Sequence, residues 1–468
     1  MSNRWVISGL ATLFVVVLLF AAKSSIAPRY DDHGNLTRDV DKSAKPLEPF
    51  FQLQSRDPQL VNLAFEHLDA NWDPNQAVML VEMLPGLVDR ETRQRVVSFL
   101  EAKTGRQFGR NTDRWLQFIW NADFGQHPNY AEFKADFYAA FDASFSEYFS
   151  RNPAATIRLN EVRWGGVLRD GIPPLKEPLM ISVDQATYLE DSNVVFGVEV
   201  NEDVRAYPQR ILAWHEMVKD TIGGESINGV YCTLCGAMIV YRTTVDSVHY
   251  ELGTSGFLYR SNKLMYDQAT KSLWSTLAGR PVVGPLVGQE IELEMLQVVT
   301  TTWGAWRKRH PHTKVLSLNT GFSRDYGEGV AYKDYFSTDR LMFHVPWVDR
   351  RLKNKTSVLA LRFPAVSGEV AVTKEFLQKH PIYHDQIGIQ KFVVLTNDAG
   401  AHRVYETGGR RFDLWDGNRK VRDTEGIFWE LSEAKLTSSG EKSLQRLPAH
   451  GAFWFAWNAA YPSTRLVK

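Results

Sequence analysis

The chain opens on its strongest apolar run. Trp5 to Ala22 reads WVISGLATLFVVVLLFAA, 18 residues without a charge, preceded by Arg4. That length suffices to cross a bilayer core, whereas the apolar part of a signal peptide is usually shorter. The run predicts a single-pass anchor within residues 1–27. A cleaved signal ending near Ala27 is the alternative, since Ser25-Ile26-Ala27 offers small residues at the right spacing. Lys23 and Arg29 lie just beyond the run and Asp31 and Asp32 follow, so the charge bias across it is weak. Either reading delivers the rest of the chain to the periplasmic or other extracytoplasmic side, as a cell-envelope protein whose membrane contact is this segment. Residues 28–49 are polar and aperiodic, a linker.

The period then becomes helical, over a domain expected at 50–151. Asp89 is placed to cap a helix in which Val96, Val97 and Leu100 share a face, with Gly105 ending it after Lys103. Phe133, Phe137, Phe141, Phe145 and Phe149 recur every fourth residue. A stripe at that spacing reads as a core face, with a cofactor groove the alternative. From 154 to 468 short β runs such as Leu179 to Val183, Val194 to Val200 and Ala237 to Tyr241 are separated by Gly, Pro, Asn and Asp.

Within this β-rich part the pattern repeats. Residues 303–313 read WGAWRKRHPHT and 454–464 read WFAWNAAYPST, with Trp, Ala, Trp, Pro and Thr at the same offsets. Upstream, Asp267 to Trp274 and Asp423 to Trp429 precede the two copies, and Leu212 with His215 matches Leu377 with His380. The order of features implies two diverged copies, about 194–313 and 358–464, packed as pseudo-symmetric halves. Chance tryptophan usage is the competing explanation in a chain with 14 Trp. The fold class expected is α+β: a membrane anchor, a helical domain, then a β-rich, internally duplicated domain.

Charge narrows the partners. Lys+Arg and Asp+Glu both number 54, so no net field draws the chain to nucleic acid, and none is expected as a partner. The helical domain is the expected docking element for another envelope protein. Walker, GxSxG, HExxH and dinucleotide fingerprints are absent, and no nucleotide cofactor is indicated.

Both cysteines of the chain fall in Val230-Tyr231-Cys232-Thr233-Leu234-Cys235-Gly236. Thiols at that spacing can share a soft metal or close a small disulfide, which gains little as a staple because its loop is short. His215 is the candidate third metal ligand with Cys232 and Cys235, a histidine satisfied within the core being the plain alternative. Glu216 is the candidate orienter or proton carrier. Copper is the first metal to expect on two thiolates and an imidazole in an exported protein. A second patch, Gly253-Thr254-Ser255-Gly256 with Tyr259 to Asn262 and Tyr266, reads as an anion-binding turn or an ordinary hairpin. Ser255, Arg260, Asn262 and Tyr266 are its candidate substrate contacts.

Tyr231-Cys232-Thr233-Leu234-Cys235-Gly236, together with Ala206-Tyr207-Pro208, His215-Glu216, Gly253 to Gly256, Met265-Tyr266-Asp267 and Ser272-Leu273-Trp274, resembles a prokaryotic family, domain of unknown function 3179, over about 160–466. That family commonly carries YCPLC, so Thr233 stands where proline is usual and slightly weakens a redox role. The resemblance implies the domain and no mechanism. The function expected is an oxidoreductase or metal-dependent enzyme centred on Cys232, Cys235, His215 and Glu216. The alternatives are a binding module with a passive disulfide and a metal-free thiol–disulfide exchange protein.

Overall fold

The structure is a computed structural model that describes residues 46–468, apart from positions 123, 150, 151 and 441. The expected anchor over Trp5 to Ala22 lies outside the described residues. Among the described residues no helix is long and apolar enough to cross a membrane, so the fold class is corrected to what they show, a mixed α+β chain with a helical region followed by a β-rich one. The chain divides into a helical unit ending at Pro153 and a β-rich unit from Ala154 to Lys468.

In the helical unit the first described helix, Glu48–Gln52, begins inside the stretch expected as linker. Gln76–Met83 is buried on every side, as an all-round apolar helix must be. Its Glu82 is the one charged residue, and Lys134 Nζ at 2.5 Å and the Tyr138 hydroxyl at 2.7 Å satisfy the carboxylate. Asp89 caps Arg90–Thr104 by accepting from the Thr92 amide, and Gly105 ends that helix at φ 68°. The phenylalanine stripe is packing, but not along one helix. Tyr130–Ala139 stops after Phe137, and Phe145 and Phe149 reach the core from separate short turns.

The β-rich unit shows one strand order twice. Val298–Thr302, Val194–Val200, Asp203–Pro208 and Lys314–Leu316 lie side by side, pairing antiparallel, antiparallel and parallel. His450–Phe453, Ser357–Leu361, Val370–Thr373 and Arg465–Val467 pair in the same sequence of senses. Each sheet is accompanied by a three-stranded meander, Met217–Ile222, Glu225–Cys232 and Ala237–Arg242 in one half and Ile382–Ile387, Gln390–Thr396 and His402–Glu406 in the other. A second antiparallel meander follows in each half.

The tryptophans that repeat in the sequence make the same bonds in both halves. Trp306 Nε1 donates to Thr313 Oγ1 and Trp457 Nε1 to Thr464 Oγ1, both at 3.0 Å. Trp274 Nε1 donates to Asp267 Oδ2 at 3.1 Å and Trp429 Nε1 to Asp423 Oδ2 at 3.0 Å. The halves are locked together around Glu433, whose buried carboxylate takes Arg309 at 2.9 Å, Arg403 at 2.6 Å and Arg446 at 2.5 Å. Arg309 ends the helix Trp303–Arg309 of the first half, so this cluster ties first-half backbone to second-half strands.

Candidate functional site

Cys232 is the last residue of Glu225–Cys232, and the chain turns at 233–236 into Ala237–Arg242. The turn is closed by the Cys235 amide donating to the Cys232 carbonyl at 3.1 Å. Gly236 sits at φ 61°, and a Cβ there would stand 2.9 Å from the Phe453 ring, so both backbone and space demand glycine. The two sulfurs are bonded to each other. Cys232 is 2 % exposed and Cys235 0 %.

Glu216 reaches this turn because of how its helix stops. Gln209–His215 ends with Glu216 in the left-handed region at φ 54°, its amide donating to the Leu212 carbonyl at 2.7 Å. The bend sends consecutive side chains in different directions. Glu216 Oε1 accepts from Thr233 Oγ1 at 2.8 Å and from the Tyr332 hydroxyl at 2.7 Å, while Oε2 takes Lys263 Nζ at 3.1 Å. A carboxylate and an ammonium, 7 % and 6 % exposed as residues, are thus paired beneath the loop between the cysteines. Burial beside that carboxylate pushes the Tyr332 hydroxyl well above the usual phenol range.

His215 takes the other direction. Its Nδ1 lies 2.9 Å from the Pro173 carbonyl and its Nε2 2.6 Å from the Tyr326 hydroxyl, with Phe322 packed on the ring. The trio expected to hold a soft metal is therefore divided. Both thiols are spent on each other and both imidazole nitrogens are engaged, and among the described residues no three His, Cys, Asp or Glu gather as a ligand set. Copper at Cys232 and Cys235 would need the reduced pair.

The second patch, expected as an anion-binding turn or an ordinary hairpin, lies in a hairpin. Gly253 to Gly256 lie inside the strand Leu252–Tyr259, and the hairpin turn comes later, at Arg260 and Ser261, both left-handed. Ser255 Oγ donates to the Leu264 carbonyl at 2.6 Å. Arg260 pairs with Glu161, donates to the Ala459 carbonyl at 2.9 Å and stacks on Trp347. Asn262 Nδ2 donates to the Arg260 and Ala456 carbonyls, each at 3.2 Å. Tyr266 donates to Asp170 at 2.6 Å. The first three side chains hold the hairpin and the second half's helix in place, and Tyr266 fixes Asp170.

Sequence reasoning passed over Lys263, Tyr332 and Tyr335. The signal for Lys263 was a charge directly ahead of the apolar run Leu264-Met265-Tyr266. Tyr332 and Tyr335 belong to residues 317–356, which join the two halves and cover the turn. Tyr335 donates to the Leu234 carbonyl at 2.8 Å, Ser261 Oγ lies 3.4 Å from the Phe343 carbonyl, and Lys355 Nζ stands 3.3 Å over the Tyr335 ring.

Fold and site together define a duplicated β-rich protein with a covered CxxC disulfide backed by a buried acid–base pair. The chain belongs to the family described as Protein of unknown function (DUF3179), whose model matches residues 169–464. No curated protein and no solved structure matches it.

Proposed function

We propose that the chain is a thiol–disulfide oxidoreductase whose reactive group is the Cys232–Cys235 pair, with Glu216 and Lys263 as positioning residues that set the charge beside it. One observation carries the reading: a buried carboxylate, paired to Lys263, accepts a hydrogen bond from Thr233, one of the two residues between the cysteines. A buried ion pair is a poor way to stabilise a fold, so its presence under a redox-capable turn favours a chemical use.

In the step proposed, a thiolate of a partner dithiol attacks one sulfur, the S–S bond breaks, and the other cysteine leaves as a thiolate. The partner's second thiol then resolves the mixed disulfide. Two electrons and two protons pass from the partner to the pair. Attack requires residues 317–356 to move aside, since both cysteines are buried. A bonded CxxC also supports residence in an oxidising, extracytoplasmic compartment. No step runs through a metal.

Burial of the pair favours one rival, a passive disulfide, and a redox titration of the full chain separates the two. Free thiols are counted by alkylation and mass across a dithiol/disulfide buffer series. The expected potential lies between about −270 and −120 mV, the span of exchange catalysts. In Glu216→Gln it rises, because removing the carboxylate favours the thiolate form. A potential below about −300 mV, with no turnover of a peptide disulfide by the reduced protein, would overturn the proposal.

A further inference from the structure

His215 points away from the disulfide, towards a surface cleft of about 420 Å³ whose walls include Asp170, Pro173, Lys176, Lys219, Thr320 and Phe322. The bonds leading from cleft to imidazole have a fixed direction. A carbonyl can only accept, so the Pro173 contact places a hydrogen on Nδ1. Burial lowers the pKa of this histidine, and in the neutral ring Nε2 is then an acceptor that takes the Tyr326 hydroxyl hydrogen at 2.6 Å. With its hydrogen committed, the Tyr326 oxygen accepts from Thr320 Oγ1, also at 2.6 Å. Thr320 lines the cleft, so the chain of hydroxyls runs from solvent to a buried base.

Charge selects what the cleft takes. Lys176 and Lys219 line it, and Arg324 is near enough to disfavour protonation of His215 and to favour ionisation of Tyr326. Asp170, the one carboxylate on the wall, is held by the Thr254 amide at 2.9 Å and by Tyr266. Lys219 has a partner, Glu251, at 2.6 Å.

We infer that this cleft is a second site, which binds a small phosphate- or carboxylate-bearing molecule, and that Thr320, Tyr326 and His215 carry a proton between that ligand and the imidazole. The inference is independent of the redox reading. The ligand's negative charge offsets Arg324, so binding favours the protonated ring, and His215 becomes the proton store of the site.

The test uses the full chain with inorganic phosphate and with acetate as probes. Binding is followed by the fluorescence of Trp214, whose indole donates to the Asp325 carbonyl at 2.8 Å next to Tyr326. His215 is followed by nitrogen NMR of histidine-labelled protein, assigned through His215→Gln. One probe or both should bind saturably, at least ten-fold more weakly in the Lys176→Ala/Lys219→Ala variant and unchanged in a Lys391→Ala control. The free protein should show His215 as the neutral Nδ1–H form at pH 7, and the bound probe should raise its titration midpoint. Tyr326→Phe should keep affinity within two-fold and keep that rise, but slow exchange of the Nε2 proton of the charged ring with solvent at least ten-fold in the same spectra, which a merely structural tyrosine would not do; an unchanged exchange rate would overturn the relay. No saturable binding of either probe, binding indifferent to the two lysines, or a midpoint that ignores the probe would each overturn the inference.

Discussion

Replacing Glu216 tests whether the pair beneath the disulfide turn interacts directly. Two unit charges 3.1 Å apart attract by roughly 5 kcal/mol at an effective dielectric near 20, and breaking one partner of a buried pair costs about 3–5 kcal/mol. Glu216→Ala also strips the acceptor from Thr233 and Tyr332, adding about 1 kcal/mol for each hydroxyl left without a bond. The expected loss is therefore about 5–7 kcal/mol. Glu216→Gln keeps an oxygen for the hydroxyls and should lose less, about 3–4 kcal/mol. Lys263→Met leaves a carboxylate that still has two donors, and the double variant Glu216→Gln/Lys263→Met removes both charges together. Urea unfolding of the four proteins, followed by tryptophan fluorescence with the disulfide intact, gives the cycle. The double variant should be less destabilised than the sum of the singles by about 2–3 kcal/mol. Losses that add to within about 0.5 kcal/mol would show that the two side chains do not depend on each other, and the reasoning for a functional pair would fall with them.

Four further outcomes are expected. Glu433→Gln should leave three buried guanidinium groups around an uncharged side chain and cost at least about 5 kcal/mol, read as loss of the folded β-rich unit in urea; a loss under about 2 kcal/mol would refute the lock between halves. Burial holds His402 at a pKa of about 3 and His450 at about 4, from 6.5. Both folded values are depressed, so the unfolded chain takes protons first: stability is full above 6.5 and falls by about 3 kcal/mol for each by pH 4, checked by urea midpoints between pH 7 and 4. Gly236→Ala should cost about 2–4 kcal/mol through a left-handed backbone and the Phe453 overlap, measured by thermal unfolding. Tyr335→Phe removes the cover's bond to Leu234, so reduction of the disulfide by a small thiol should quicken several-fold in stopped-flow, and an unchanged rate would show that the bond does not hold the cover.

How much of this was legible depended on whether a residue's role is set by local spacing. The indole bonds of Trp306 and Trp457 span seven residues to Thr313 and Thr464, within one helix and the turn after it, so the repeated letters carried the geometry directly. Asp89 and Gly105 act within a turn of their own helix and were read correctly for the same reason. His215 and Glu216 were not. Adjacent in sequence, they seemed to serve one centre, but the left-handed residue that stops the helix separates them. Lys263 and Tyr332 come to Glu216 across 47 and 116 positions, separations over which no periodicity reports.

The duplication also explains why the cysteines occur in one half alone. Counting back from Tyr241 and Tyr405, Cys232 matches Thr396, and both end the middle strand of a meander. Each turn is packed against the other half: Cys232 and Cys235 share a core with Trp454 and Trp457, and Ala401 shares one with Trp303 and Trp306. Contact with the other half is thus common to both turns; Asp398 of the second is exposed, while the first is buried from Cys232 to Cys235. What distinguishes it is a set of neighbours contributed from outside the repeat, Tyr332 and Tyr335 of the connecting segment, together with the Glu216–Lys263 pair. In the second half Thr396 instead bonds its own meander, through His402 Nδ1 at 2.8 Å. Two copies of one frame therefore differ at this turn: one closes on its own meander, and the other is surrounded by the connecting segment and a buried ion pair.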